Sequence, residues 1–322
     1  MNALQGDRVR SQTSAHSLRQ IDDSTTAGLR RIAEADAGTT QRLAELDREW
    51  DVDRVLEAEA ATMGLVGLGL GLLGKPALLA LPALVGGSVF YQAQTGRYPL
   101  MPLFRRLGVR TSREIARERY ALKALRGDFS SSGETESEER FKFAAEATSS
   151  PSLPPPAPDE QEPTAQFGSQ LPPTTLRVEM HTDSALNEEI GARTEAELLR
   201  LERAGRAAIE ERLTELEEEW DIERVLQTNA SALVLAGLAL GTGFDRRFLA
   251  LPIAVFAFFA QHAFQGWCPP IPLLRRLGIR TMREIERERY AIKVLRGDFE
   301  GLPRPDAPTS ERVRAILKAV DA

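Results

Sequence analysis

Two stretches of the chain are almost wholly apolar, and each is broken once by a short polar turn. The first reads "AATMGLVGLGLGLLG", "KP", "ALLALPALVGGSVFYQA"; the second reads "ASALVLAGLALGTG", "FDRR", "FLALPIAVFAFFAQHAF". Each half is roughly 15–18 residues, the lower edge of what crosses a hydrocarbon core. A soluble helix keeps a polar face, and these halves are apolar all round, which suits lipid or a deep core. No other apolar segment is large enough to wrap them. The pattern predicts two membrane hairpins, over about 58–93 and 230–264, with turns at Gly74 to Pro76 and at Gly243 to Arg247. Halves this short either span with little tilt, thin the bilayer, or wedge into one leaflet.

Around the hairpins the polar pattern is helical. Charged arms run over about 17–58 and 186–228, where Leu43, Leu46 and Trp50, and likewise Leu213, Leu216 and Trp220, fit a short coiled-coil seam. A contact between arms or protomers and a solvated amphipathic helix are equal readings. After each hairpin, "GRYPLMPLFRRLG" and "GWCPPIPLLRRLG" bring prolines that end the helix, with Tyr91, Tyr98 and Trp267 suited to the headgroup level. Thr111 with Glu114, and Thr281 with Glu284, form T-x-x-E capping boxes, so helices start there and run over 111–126 and 281–296.

At a shift of 170 residues, 43–129 aligns with 213–299 without a gap and about half the positions are identical. The expected fold is therefore an all-α membrane protein of two tandem hairpin modules with flanking amphipathic or coiled-coil helices. Its parts are a polar, partly helical 1–42, module 1 over 43–129, a linker over 130–185, module 2 over 186–299, and a tail over 300–322 with a short helix. The linker is rich in Ser, Pro and acidic residues and predicts disorder, with a transient helix at "SEERFKFAAEA".

Charge adds a direction. From Arg105 to Phe129 the chain has eight basic and three acidic side chains. Such a bias marks the cytoplasmic flank, and each cation near an anionic leaflet contributes about 1 kcal/mol. Arg105, Arg106, Arg110 and Arg113, with Arg275, Arg276, Arg280 and Arg283, are thus expected on the membrane surface, in helices lying along an anionic inner leaflet. That places the N-terminus, linker and C-terminus inside; Arg246 and Arg247 at the second turn oppose it but are outnumbered. A net charge of −6 gives no pull toward nucleic acid. Gly67 with Gly71, and Gly237 with Gly241, make G-x-x-x-G spacings for close helix packing within a hairpin, between hairpins or between protomers.

Candidate chemistry is sparse. His16, His181 and His262 lack metal-site spacing, and no catalytic, cofactor or metal residues are expected. "GLVGLGLGLLG" lacks the Lys-Ser/Thr ending and preceding strand of a phosphate loop. "RGDF" at 126–129 and 296–299 reads as a glycine helix stop. The single cysteine, Cys268, is a possible reactive thiol, without a nearby base.

Gly266, Cys268, Pro269, Leu274, Gly278 and Thr281, with Asn229 ahead of the first helix, resemble the bacterial YgaP-like inner-membrane domain family. The first module departs from it, with Tyr98 and Glu59 in place of the Cys and Asn. The resemblance covers about 45 residues per module. It implies a multi-pass location in the inner membrane and little more, since no second Cys supports the rhodanese sulfur chemistry of some fused members. The expected function is a non-enzymatic membrane anchor or scaffold. It would oligomerise through glycine faces and cytoplasmic helices, or hold a cytoplasmic partner through its arms, and could shape the membrane. The alternative is a small transporter or channel of pseudo-symmetric hairpins.

Overall fold

In a computed structural model, the residues described are 6–35, 37–129, 144–149 and 171–322, and they form helices and turns without a strand. Helices α1 (Arg8–Ser11), α2 (Ala15–Ala35) and α3 (Thr39–Arg48) precede the first hairpin, α4 (Val52–Leu72) and α5 (Ala80–Thr95). A short α6 (Met101–Arg106) leads into α7 (Ser112–Arg126), and α8 covers 144–149. The order then recurs as α9 (Ser184–Ala204), α10 (Arg206–Glu218), the hairpin α11 (Ile222–Gly243) and α12 (Ala250–Gln265), α13 (Ile271–Arg276) and α14 (Met282–Arg296). A final α15 (Thr309–Asp321) buries Val313, Ile316 and Val320, three of the tail's helically spaced apolar residues.

Each hairpin begins at a Trp-Asp pair, before the apolar run. Asp51 Oδ1 accepts the Arg54 N–H at 2.9 Å, and Asp221 Oδ1 accepts that of Arg224 at 2.8 Å, so both carboxylates cap a helix start. The following arginine lies over the preceding indole, 4.5 Å from the Trp50 ring centre in one case and 3.8 Å from Trp220 in the other. The arms are therefore separate helices rather than extensions of the hairpins. Their seam leucines, Leu43, Leu46, Leu213 and Leu216, are buried, but not in a coiled coil between arms. Helix α3 packs on α7, and α10 packs on α9 and α14, because those neighbours offer the larger apolar face.

The four apolar helices form one bundle in which α4 touches α5 and α12, and α11 touches α12 and α5. All four are long and apolar enough to cross a membrane. Leu73, Leu84 and Phe244 stand 84%, 67% and 87% exposed on its outside, where a soluble protein would place polar groups. The G-x-x-x-G glycines act within each hairpin. A Cβ on Gly67 would meet Pro82 at 2.6 Å, and one on Gly237 would meet Pro252 at 2.6 Å; Gly71 and Gly241 face Leu79 and Leu249 in the same way. The glycine faces are thus filled by their own hairpins and are not open to another protomer.

Between hairpins the contacts are complementary. The Phe256 ring lies 2.5 Å from the place a Gly64 Cβ would take, and Val234 lies 2.9 Å from that of Gly86. At a shift of 170 residues, Gly64 matches Val234 and Gly86 matches Phe256.

On one side of the bundle the remaining helices form a platform. The Val52 N–H donates to Arg110 O and the Ile222 N–H to Arg280 O, both at 2.9 Å, tying hairpin to platform. Helices α7 and α14 cross at its centre, where Tyr120 stacks on Tyr290 with ring centres 3.9 Å apart and Phe129 meets Phe299 at 4.5 Å. These two helices were expected on the membrane surface; the structure corrects this, since most residues from Arg113 to Ala124 and from Ile285 to Lys293 are buried. Buried Lys123 donates to Ala147 O and Thr148 O at the end of α8, and Lys293 to Val320 O near the end of α15. Both helix stops follow the sequence reading, with Gly127 and Gly297 at φ of 91° and 87°. The flanking Arg126 and Asp128 bond to each other, as do Arg296 and Asp298.

The linker expectation for 130–143 and 150–170 lies outside the described residues. Its last part is corrected: residues 171–183 are folded against the bundle base, and Arg177 is buried there.

Candidate functional site

The expected membrane-surface arginines divide in two. Arg106 and Arg276 are exposed. Arg105, Arg110, Arg113, Arg275 and Arg280 are buried, and Arg283 is half-buried, so their assignment to the lipid surface is corrected. The reason is pairing. Arg105 grips Glu114 with two bonds of 2.6 and 2.7 Å, and Arg275 grips Glu284 with two of 2.6 Å. Arg110 holds Glu49 at 2.6 and 2.7 Å and also binds Glu118; Arg280 holds Glu219 at 2.6 and 2.7 Å and binds Glu288. Arg113 reaches Glu217 O at 3.2 Å, while Arg283 lies 3.4 Å from Asp47. Burial works to raise the Glu114 and Glu118 carboxyls, yet their arginines hold both below the usual range. Glu114 also accepts the Thr111 N–H at 2.9 Å, so one side chain serves both cap and ion pair.

The second cluster lies where the two hairpins meet the folded segment 171–183. Glu57 on α4, Glu223 on α11 and His262 on α12 bring two carboxylates and an imidazole from three helices within 4.8 Å of one another. His262 Nε2 lies 2.6 Å from Glu223 Oε2 and 3.8 Å from Glu57 Oε2. Arg177 Nη2 bridges the carboxylates, 2.8 Å from Glu223 Oε1 and 3.1 Å from Glu57 Oε2. Gln227 Nε2 bonds Asp53 Oδ1 at 3.0 Å and reaches Glu57 Oε1 at 3.4 Å. Glu57 and His262 are fully buried, and Arg177 is 1% exposed.

The positions matched to this cluster are chemically quieter. Shifting by 170 residues turns Glu57 into Gln227, Glu223 into Asp53 and His262 into Gln92. Arg8, at the start of α1, follows the matching course beside Gly96 as Arg177 does beside Gly266, but its guanidinium bonds backbone oxygens of Gln92 and Ala93.

Cys268 is buried beside Val178, Ile222 and Leu226. Burial, with the charges of Glu57 and Glu223, pushes its thiol up to about 12, so the reading of a reactive thiol is corrected. Sequence reasoning missed Glu57, Glu223 and Arg177, and set His262 aside for lack of metal-site spacing. Two signals were readable: acids at Glu57 and Glu223 on the rim of an apolar run, and the phrase "RV" at Arg8 and Val9 returning at Arg177 and Val178.

No family model, curated protein or solved structure matches this chain.

Proposed function

We propose that the protein is a non-catalytic, multi-pass membrane scaffold, in which a four-helix bundle anchors a rigid helical platform. One observation carries the reading: a closed apolar bundle with exposed leucine and phenylalanine side chains is joined to a layer whose buried arginines are spent on internal ion pairs. Such a layer is built for rigidity rather than for free electrostatic contact with lipid. The platform, with the N- and C-termini, faces the cytoplasm of an inner membrane, because the Arg-rich segments lie on its side. The two hairpins are divergent copies of one YgaP-like unit. With the glycine faces filled, a further copy or a protein partner docks on the exposed arms, chiefly α9, whose outward face is charged.

The transporter alternative draws on the buried cluster of Glu57, Glu223 and His262. Toward the turns, however, the seam between the hairpins is Gly64 on Phe256, then Val85, Val89 and Leu238, apolar and tightly packed. A transported ion needs polar partners along its route.

Resistance to carbonate extraction tests the anchor, and full release into the supernatant overturns it. Lys75→Cys and Asp245→Cys, in a Cys268→Ser background, are expected to react with an impermeant thiol reagent from outside intact cells. Labelling of a cysteine placed in 150–170 from outside would reverse the topology.

A further inference from the structure

Charge balance sets the buried cluster apart from the Arg–Glu pairs of the platform. Within 4 Å, the carboxylates of Glu57 and Glu223 meet one guanidinium, that of Arg177, and one imidazole, that of His262. Arg54 lies close by, but its donors go to Ala263 O, Phe264 O, Pro172 O and Thr174 Oγ1. Two buried carboxyl groups therefore face one fixed cation, and a second negative charge there would be costly without a further cation. Arg177 also buries Nε and Nη1 without a partner while its Nη2 is aimed between the two carboxylates.

We propose that Glu57, Glu223 and His262 form a binding site for a divalent first-row transition metal that clamps the two hairpins together. The donor set decides the class of ion. An imidazole nitrogen with two carboxylates suits zinc or manganese, whereas calcium and magnesium take oxygen ligands throughout. Facing helices of a bundle supply such sites by projecting Glu and His inward. The ion takes the place of the proton between His262 Nε2 and Glu223 Oε2, so that this 2.6 Å contact opens to roughly 3.3 Å, the ligand spacing of a tetrahedral site. Arg177 then acts as the outer partner that orients both carboxylates, a common support for metal ligands. Three protein ligands leave a fourth position for water or hydroxide, an acceptor for the unpaired donors of Arg177. The ligands come from both hairpins, α4 on one side and α11 with α12 on the other, so the ion adds a bond that apolar packing alone does not supply.

The test uses the full-length protein in detergent, stripped with a chelator and dialysed against zinc or manganese. Metal retained after gel filtration is measured by elemental mass spectrometry. One ion per chain is expected, together with a raised thermal midpoint. His262→Gln, which installs the side chain already present at the matched Gln92, should weaken retention at least about tenfold, as should Glu223→Gln. Arg177→Lys should lower affinity by about 10- to 100-fold, the usual range for an outer partner. Arg276→Ala, at an exposed position, should leave it unchanged. Gel filtration separates loss of the site from loss of fold, and Glu57→Gln provides a second ligand variant should one misfold. Folded wild-type protein that retains no stoichiometric metal overturns the proposal. Retention at wild-type affinity in both His262→Gln and Glu223→Gln does the same.

Discussion

The apolar bundle and the ionic platform use their two sequence-matched halves in opposite ways. In the platform, sequence-matched residues do the same work twice: Arg105 holds Glu114 as Arg275 holds Glu284, and Arg110 spans Glu49 and Glu118 as Arg280 spans Glu219 and Glu288. In the bundle, matched residues do complementary work. Gly64 receives Phe256, while its counterpart Val234 fills the space at Gly86. A bidentate ion pair demands a fixed fork and a present partner, so changing either side strands a buried charge. Apolar contacts demand only volume and shape, and volume lost on one helix can be restored on another. Ion pairing keeps the halves alike where packing lets them diverge into key and socket.

Acid acts on the entire platform at once and should give the largest effect. Glu114 and Glu118 are held below the ordinary carboxylate value of 4.5 by their arginines, against the upward push of burial. A depressed carboxyl contributes stability that is fully present above the unfolded value and lost as pH falls through the folded one. Asp7 and Glu179, raised chiefly by burial, run the other way and take up protons first. The near-ultraviolet circular dichroism of the stacked Tyr120 and Tyr290 should therefore collapse below about pH 4.5, while the far-ultraviolet helical signal of the bundle persists. A tyrosine signal unchanged down to pH 3 would contradict an ionic platform.

Single substitutions sharpen the contrast. Arg275→Ala takes the buried guanidinium from half-buried Glu284 and should cost about 3 kcal/mol, whereas exposed Arg276→Ala should stay within about 0.5 kcal/mol. Equal effects in chemical unfolding would return both arginines to the lipid surface. In the bundle, Gly64→Leu overpacks against Phe256 and should cost about 1–3 kcal/mol. Adding Phe256→Ala to the same chain should recover part of that loss. Two costs that simply add would deny the key-and-socket contact.

The hairpins were legible because lipid-facing helices announce themselves by composition: the turn at Gly74 and the stops at Gly127 and Gly297 fall where Gly, Pro and a run of apolar residues placed them. The arginines were not, because counting cations says nothing of where their partners lie. Glu49 is 61 residues from Arg110, and the fold alone brings them together. One sequence signal was available, since the shift of 170 preserves both members of each pair, Arg105 with Glu114 and Arg110 with Glu118, rather than the cations alone. The Glu57, Glu223 and His262 cluster was hidden for the opposite reason. Its residues are not kept in both halves, and they meet only where two different hairpins pack.

The smallest effect probes whether matched platform residues truly act alike. Thr111 and Thr281 each cap a helix by accepting the N–H of Glu114 or Glu284 at 3.2 Å, and each donates its own backbone N–H to that Glu carboxylate in return. Replacing either with Ala removes one cap bond, worth about 1 kcal/mol, while Ser keeps it. The hydroxyls also reach different carboxylates: Thr111 donates to Asp7 Oδ2 at 2.5 Å and Thr281 to Glu179 Oε1 at 3.2 Å. Asp7 is buried and Glu179 half-buried; burial pushes both carboxyls up and each hydroxyl bond works against that push, so the two losses are alike in kind. The two Ala variants should therefore lose similar stability at neutral pH, with the Ser variants close to wild type. A gap between Thr111→Ala and Thr281→Ala larger than about 1 kcal/mol would show that the platform halves have diverged in energy as the hairpins have in shape.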